Sequence, residues 1–595
     1  MKKGKRVTVL KEKFSHGIVR LWKRIGNAVN KKKKRRKKMK KKFKKTATSL
    51  LLTASLVCGL SACSTAKDTP KQESGGAESS SQGGAAGETE QTTASGDKKT
   101  FSYWLPIHAF TAKAMTDHND HPAAKRLEEQ TGVFVEYINP PVGQELEQMN
   151  LLLASGDNLP DLMRFNFKQK YRGGVSAAVA DGVLLDATKL IEENAPNFMA
   201  FINSDEDLRR GAYTDDGILA YFGSIIPAEE MRGLPFQGPM VNKTLLDKAG
   251  LDIPETIADW EEMLAAFKEM GVRIPFSFGC DNKFAGLYNA FSGAYGVPAG
   301  SRFMDENGTA KFGPMQEGYK EFLTLFHKWY QNGWLDPDFL SKVQNKEVRN
   351  DFDAGEMGAG LLHISSVIRL PLVSVQHGKE EMEAVPAPYP VLKEGDQTHF
   401  RHYVTNFNQT PCYISADAED PLTVIKWLDY LYSPEGIQEI SWGTMGDERY
   451  EDTYYVDEEG KKKQTEFVTN NPNGLSPEEV MRQYLLRDTA MVWDWEMQSL
   501  MYQDERQQKG WSVWTDHTDF DYVMPDEMTM TADENDEFSK IMGDVETYVN
   551  EMSAKFIMGI APLDDYDKFI KTLESMKIGR ATEIQQAALD RYFAR

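Results

Sequence analysis

TFSYWLPIHAFTAKAMTDHNDHPAAKRLEEQTGVFVEYI, residues 100–138, decides the fold class. Thr100 to Leu105 is a short apolar run and predicts a strand. Asn119 or Asp120, followed by Pro122, predicts an N-cap with proline in the first turn, where its missing N–H costs nothing. The helix so opened ends near Gly132, and Val133 to Ile138 predicts the next strand. Short apolar runs alternating with helical patterns indicate an α/β protein. The alternation continues along the chain. Gln144 to Ser155 predicts a helix, and Leu162 to Phe165 a short buried strand behind Pro160-Asp161. Thr256-Ile-Ala-Asp259 is a capping-box-like start, followed at helical spacing by Ile257, Trp260, Leu264, Phe267 and Met270. Ser476-Pro-Glu-Glu479 is another capping box, with proline at N1. No internal repeat is visible.

Upstream of this region the composition changes twice. Residues 1–45 hold 22 of the 70 Lys and Arg and one acid, Glu12, a net of +21. Residues 46–62 are uncharged and carry Leu50, Leu51, Leu52, Leu56, Val57 and Leu60. From Cys63 on, 48 basic residues face 88 acidic ones, a net of −40. The overall −19 therefore averages two unlike parts. A basic block before 17 apolar residues is a targeting pattern, and that length suits a signal-peptide core better than a membrane span. It ends in Leu60-Ser61-Ala62-Cys63, which resembles a bacterial lipobox: small residues fit the signal peptidase and the Cys63 thiol takes a diacylglyceryl group. Two or more acyl chains then anchor stably. Residues 64–100 contain no Leu, Ile, Val or aromatic side chain and are expected to form a flexible tether spanning roughly 35 Å. With Met39 read as the start, residues 39–62 are a complete lipoprotein signal and 1–38 an overextended N-terminus. The rival is that Lys31 to Lys38 binds nucleic acid or anionic lipid.

Six ordered segments carry a family resemblance: LLLASGDNLPDLMRF (151–165), DGVLLDATKLIEENAPNF (181–198), DKAGLDIPETIADWEEMLAAFKEM (247–270), YKEFLTLFHKWYQNGWLDPDFL (319–340), KWLDYLYSPEGIQEISWGTMGDERY (426–450) and EIQQAALDRYFAR (583–595). With the lipobox, the chain resembles extracellular solute-binding proteins of family 1, the lipoprotein receptors of ABC importers, especially long members from Bacillus and Paenibacillus relatives. The resemblance implies a type II periplasmic-binding-protein-like α/β fold over residues 101–595, two lobes joined by hinge strands with an interlobe cleft. Lobe one is expected at about 101–240 and lobe two at about 243–384, each with C-terminal segments. Crossings are expected near Met240 to Lys243, Val385 to Pro388 and Pro411 to Ser415. The implied function is capture of a solute, first an oligosaccharide, and delivery to permease subunits in the membrane. The implied protein is a monomer, lipid-anchored on the extracellular face, without enzymatic activity, cofactor or nucleic-acid partner.

A sugar site needs aromatic platforms for C–H faces and carboxylates, amides or histidine for hydroxyls. Trp442, in SWGTMGDERY, is the expected platform, with Glu448 and Tyr450 nearby; packing of the same loop is the rival reading. His108, Asn166, Asp281, Asn282 and His363 follow predicted strands, where ligands meet such sheets. Trp260, Trp329 and Trp427 fit core positions, Trp334 packs a turn, and Trp493 and Trp495 either line the cleft or pack a helix. Asp117, His118, Asp120 and His121 suggest a metal, but their place favours helix capping. Asp305-Glu-Asn-Gly308 has the glycine too early for a calcium loop and reads as a hairpin turn. The calcium loop some relatives carry before their IPF segment is missing from FKEMGVRIPF. Cys280 and Cys412 are expected as buried thiols in strands, with a disulfide between them outside the cell as the alternative.

A secreted carbohydrate-active enzyme, and a receptor on the same fold that feeds a sensor kinase or binds a peptide, are the alternatives. No GxSxG, HExxH or P-loop is present. The acidity opposes nucleic acid and favours neutral or cationic solutes, unless a local basic pocket overrides it. If Met39 is the start, intact mass of precursor from cells with blocked signal processing gives a chain beginning there; a chain beginning at Met1 sinks that reading.

Overall fold

The opening stretch folds as a parallel strand–helix–strand unit. The computed structural model describes residues 99–595 apart from 157, 228–232, 280–289, 343–344, 404, 406, 408–410, 444 and 503. Residues 1–98, with the signal and Cys63, and Cys280, Asp281 and Asn282 lie outside the described residues. In chain order the strands are β1 (Lys99–Trp104), β2 (Val133–Ile138), β3 (Leu162–Arg164), β4 (Tyr221–Phe222), β5 (Gln237–Asn242), β6 (Ile274–Ser277), β7 (Phe303–Glu306), β8 (Thr309–Phe312), β9 (Met357–His363), β10 (Ala384–Pro386), β11 (Cys412–Ile414), β12 (Tyr454–Val456) and β13 (Lys462–Gln464).

Strands β1 and β2 pair in parallel from Lys99↔Val133 to Trp104↔Ile138. The helix between them, Pro122–Thr131, has proline in its first turn but is capped by His121 rather than by Asn119 or Asp120. The His121 Nδ1 accepts the Ala123 N–H at 3.2 Å. Burial holds that imidazole neutral, its pKa down at about 3, which leaves a ring nitrogen free to accept. Asn119 and Asp120 lie in a preceding 3-10 turn that Asp117 caps. These residues therefore spend their polar groups on backbone ends. Asn307 and Gly308, both at positive φ (54° and 83°), turn the β7–β8 hairpin, where most side chains would be strained.

Two sheets define two lobes. The lobe-one sheet has the order β2-β1-β3-β11-β4, with β11 antiparallel to both neighbours. The lobe-two sheet has the order β10-β5-β9-β6. Each sheet has its own apolar core. In lobe one Trp427 packs edge-on to Phe101 at 5.4 Å. In lobe two Trp260 and Trp329 pack edge-on around Phe291, with centroids 4.9 and 5.2 Å away. The C-terminal helices Ala532–Met558, Tyr566–Ser575 and Ile578–Ala594 complete the lobe-two core. From there Arg591 Nε reaches Asp215 of lobe one at 2.6 Å and Arg595 Nε reaches it at 2.9 Å. Among the described residues no helix is long and apolar enough to cross a membrane.

The crossings lie beside the strands expected to carry them. Met240 sits inside β5, bonded to β9 on one side and β10 on the other, so Met240 to Lys243 belongs to lobe two. The burial of Gly238 to Asn242 marks a central strand. The chain passes from lobe one to lobe two between Phe222 and Gln237, and returns between Pro386 and Cys412. Val385 and Pro386 are in lobe two, and Cys412 to Ile414 in lobe one. A third passage runs from Val492 to Trp511, absent from the sequence expectation. It starts on Ile225, whose N–H donates to the Met491 carbonyl at 2.9 Å and whose carbonyl accepts the Trp493 N–H at 2.8 Å. It ends where the Trp514 indole packs on Gly238 and donates from Nε1 to the Pro239 carbonyl at 2.9 Å. A Cβ on Gly238 would stand 2.6 Å from that ring.

A third, small core (Trp442, Val468, Val480, Met481, Leu485, Met497) rides on lobe one. Arg126, of the helix Pro122–Thr131, pairs with Glu439 at 2.7 Å with both side chains buried, fixing the adjoining helix Pro434–Ser441. Burial pushes the Glu439 carboxyl up, and Arg126 pulls it back down. A raised folded pKa means stability held in acid and lost as pH rises through that pKa. Arg126→Met removes the pull, so it should cost about 3–5 kcal/mol near pH 8 and less near pH 5. Denaturant melts at both pH values test this; a loss independent of pH speaks against it. Gly238→Ala should cost about 1–3 kcal/mol by overpacking, read as a lower Tm; an unchanged Tm would show that Trp514 yields.

Candidate binding site

The C-terminal ends of β1, β3 and β4 point the same way, so the residues following them form one wall. A cavity of about 560 Å3 opens there, lined by His108 after β1, Arg164 at the end of β3, Ser224 after β4, and Arg487, Asp488 and Trp493 among others. Ligands of such sheets meet this edge because strand ends leave backbone and loop groups unused.

His108 is half-buried, and burial lowers its pKa, with Arg482 acting in the same direction. Its Nδ1 accepts the Phe110 N–H at 3.2 Å, which places the proton of the neutral ring on Nε2 as a donor. Asp488 is committed inside the protein: Oδ1 accepts from Arg482 at 2.6 Å and Oδ2 from the His108 backbone N–H at 3.3 Å. Glu478 takes Arg482 Nε at 2.6 Å and Arg487 Nη1 at 3.2 Å. Arg164 makes no side-chain hydrogen bond or ion pair among the described residues, and its Nε is buried without a partner.

A second, aromatic surface belongs to lobe two and to the third passage. His363, the last residue of β9, stacks on Phe236 with centroids 6.4 Å apart and planes 11° off parallel. Phe236 contacts Tyr502 at 5.4 Å and Trp511 at 6.0 Å, and Trp495 contacts Trp511 at 6.1 Å. The Phe236 N–H donates to His402 Nδ1 at 3.2 Å. Burial holds His363 and His402 neutral, with pKa values down at about 4. Tyr502 links the walls: its ring touches the aromatic group while Glu478 and Arg487 bear on its phenol. Burial first, then Glu478, pushes that phenol up to about 12, so it remains a neutral donor. Trp511 Nε1 is buried without a hydrogen-bond partner. The arrangement offers aromatic faces, a hydroxyl, an imidazole N–H and one uncompensated guanidinium. Among the described residues no group of three His, Cys, Asp or Glu side chains is placed to hold a metal ion.

The expected site residues separate into three groups. His108 lines the cavity, and His363 belongs to the aromatic group of lobe two. Asn166 lines no described cavity; its Oδ1 caps the helix Phe167–Lys170 through Gln169 N–H at 3.1 Å. Asp281 and Asn282 lie outside the described residues. Trp442 is a correction: it is 1% exposed, with Lys462 over its face at 5.1 Å and Tyr454 against it at 5.6 Å. It offers no face to a sugar. Instead its Nε1 donates to Asp494 Oδ2 at 2.9 Å, and Asp494 caps the helix Trp495–Leu500. Trp442 thus positions the turn that presents Trp493 and Trp495. Glu448 is exposed beside it, and the Tyr450 ring lies between the Arg126 and Arg449 guanidiniums, each 5.4 Å away. Arg164, Arg487, Phe236, Tyr502 and Trp511 were missed. The discoverable signal was Arg164, a charge closing the buried triplet Leu162-Met163-Arg164.

The interlobe region holds a second cavity, about 650 Å3, between lobe-one residues 168–176 and the lobe-two residues around Arg302 and Phe538. Beside it, Arg172 Nε bonds to Asp536 at 2.8 Å.

Comparison with known proteins agrees with this architecture. The chain is 23% identical over 529 residues to the fructooligosaccharide ABC transporter substrate-binding protein FusA of Streptococcus pneumoniae, covering 84% of this chain and 91% of that one. It is 24% identical over 258 residues to lipoprotein LipO of Bacillus subtilis, covering 42% and 47%. Its fold superposes with a TM-score of 0.67 on an HMO-binding ABC-transporter-associated solute-binding protein from Bifidobacterium longum infantis, at 18% identity, covering 84% and 99%. The family model for bacterial extracellular solute-binding proteins matches residues 119–438. With the bilobal α/β fold expected for such proteins, the chain belongs to the bacterial extracellular solute-binding protein family.

Proposed function

We propose that this protein is the lipid-anchored receptor of an ABC importer that captures an oligosaccharide between its lobes and delivers it to membrane permease subunits. The observation that carries the reading is the pairing of half-buried aromatic faces (Phe236, Tyr502, Trp493) with a strand-end cavity holding His108 and Arg164. Aromatic rings take the apolar face of a sugar, and the polar groups take its hydroxyls. The fructooligosaccharide-binding relative supports the solute class, and the lipoprotein relative supports the anchor. Cys63 carries the lipid, residues 64–98 the tether, and the receptor works as a monomer at the outer face of the membrane. Solute touching both walls favours the closed lobes, a population shift set by differential affinity. The protein binds without turnover. Of the two carboxylates lining the cavity, Asp488 is already held by Arg482 and Glu145 accepts the Gly143 N–H at its own helix start, which suits structural roles better than proton transfer.

A thermal-shift and calorimetric panel of fructo-, gluco- and uronate-type oligosaccharides, with peptides as the contrast, tests the class. At least one saccharide should raise Tm and be recovered uncleaved; a shift by peptides alone overturns the reading. Trp493→Ala and Tyr502→Ala should each weaken that binding by roughly tenfold. Trp442→Phe separates positioning from contact. If Trp442 acts through Asp494, losing its N–H weakens binding despite the retained ring. Unchanged affinity removes it from the positioning role.

A further inference from the structure

We propose that the captured saccharide carries a carboxylate and that Arg164 is the residue that selects it. This rests on the saccharide-receptor reading and sharpens its substrate class. Among the charges lining the lobe-one cavity, Arg164 and Glu145 make no ion pair among the described residues, and of the two only Arg164 has a buried polar atom left without a partner. Arg482 is matched by Glu478 and Asp488, at 2.6 Å each, and Arg487 by Glu478 at 3.2 Å. Glu145, at the rim, accepts the Gly143 N–H at 2.6 Å within its own helix start and makes no ion pair within 4 Å among the described residues. Arg164 has neither a carboxylate nor a carbonyl, although its Nε is buried. Its charge nevertheless reaches inward. It acts, after burial and Arg482, to lower His108, and it lowers His118, where burial is again the main cause.

A guanidinium on a cavity wall whose buried Nε–H lacks the bond it would make in water is costly in the empty state. The group that repays this is planar, carries one negative charge and presents two parallel acceptors. A carboxylate does so in the bidentate geometry that arginine favours. The single charge of Arg164 matches one carboxylate; a dianionic phosphate would leave a charge over. The neighbours suit a sugar that bears the group. Trp493 supplies a face beside Arg164, and His108 supplies the Nε2–H donor for a hydroxyl. The overall charge of −40 from Cys63 on makes this local exception informative: the surface repels acids, and a single built-in cation admits one.

The test measures affinities of the purified full chain for galacturonate and mannuronate oligomers, for their methyl esters, and for neutral fructo- and gluco-oligomers. At least one acidic oligomer should bind tenfold or more tightly than its own ester, with an advantage that shrinks as salt rises. R164Q should abolish that advantage, weakening the acid about 10- to 100-fold while leaving the ester unchanged. R164K, a charge without the fork, should restore part of it. Because Arg164 makes no internal bond, both variants should melt close to the parent, which reads folding independently. If neutral saccharides bind and no acid outperforms its ester, or if R164Q keeps the preference, the carboxylate inference fails and the receptor reading stands. If no saccharide binds, both fail.

Discussion

The Trp514 indole lies on the bare backbone of Gly238, and the bilobal arrangement depends on that contact. It fastens the helix Glu505–Thr515 to β5, the central strand of lobe two. Gly510 repeats the device one turn earlier, where a Cβ would stand 2.3 Å from Ile364 Cδ1. Between these anchors and the Ile225 ladder of lobe one runs the segment carrying Trp493, Trp495, Tyr502 and Trp511. The lobes are thus joined by the same stretch of chain that supplies the aromatic faces of the site. A change of lobe angle must move those rings, which gives ligand and closure a common physical element.

Around that segment the polar groups are arranged by necessity. Buried Asp488 is neutralised by Arg482 and buried Glu439 by Arg126, and half-buried Asp494 accepts the Trp442 N–H, so these three acids are committed before any ligand arrives. What is left over is Arg164. The exported chain is strongly acidic, and such a surface gives no general attraction for acids. The sign of the pocket is therefore set by pairing inside it, not by the mean charge.

Much of the architecture was legible in the sequence. The first strand–helix–strand unit, the capping boxes at Thr256 and Ser476 and the core tryptophans all follow local rules of period, capping and turn chemistry. What escaped was non-local. The cap at His121 depends on burial that keeps an imidazole neutral. The crossings were displaced because strand signals such as Met240 to Lys243 and Val385 to Pro388 announce a strand and not the sheet it joins. The site was half legible. The strand-end rule found His108 and His363, yet Trp442, in a loop that looked like a platform, is covered by Lys462 and Tyr454. Arg164 became meaningful only when Arg487 and Trp493, over 300 positions away, met it at one cavity.

The central claim is that solute lies between the strand-end cavity of lobe one and the aromatic wall of lobe two. A crystal structure of the protein with a bound oligosaccharide tests it most directly. The account predicts a sugar ring on Trp493 or Tyr502, with polar groups reaching His108 and Arg164. Sugar seated instead in the second cavity, between residues 168–176 and Arg302, with Arg164 still bare, would contradict it.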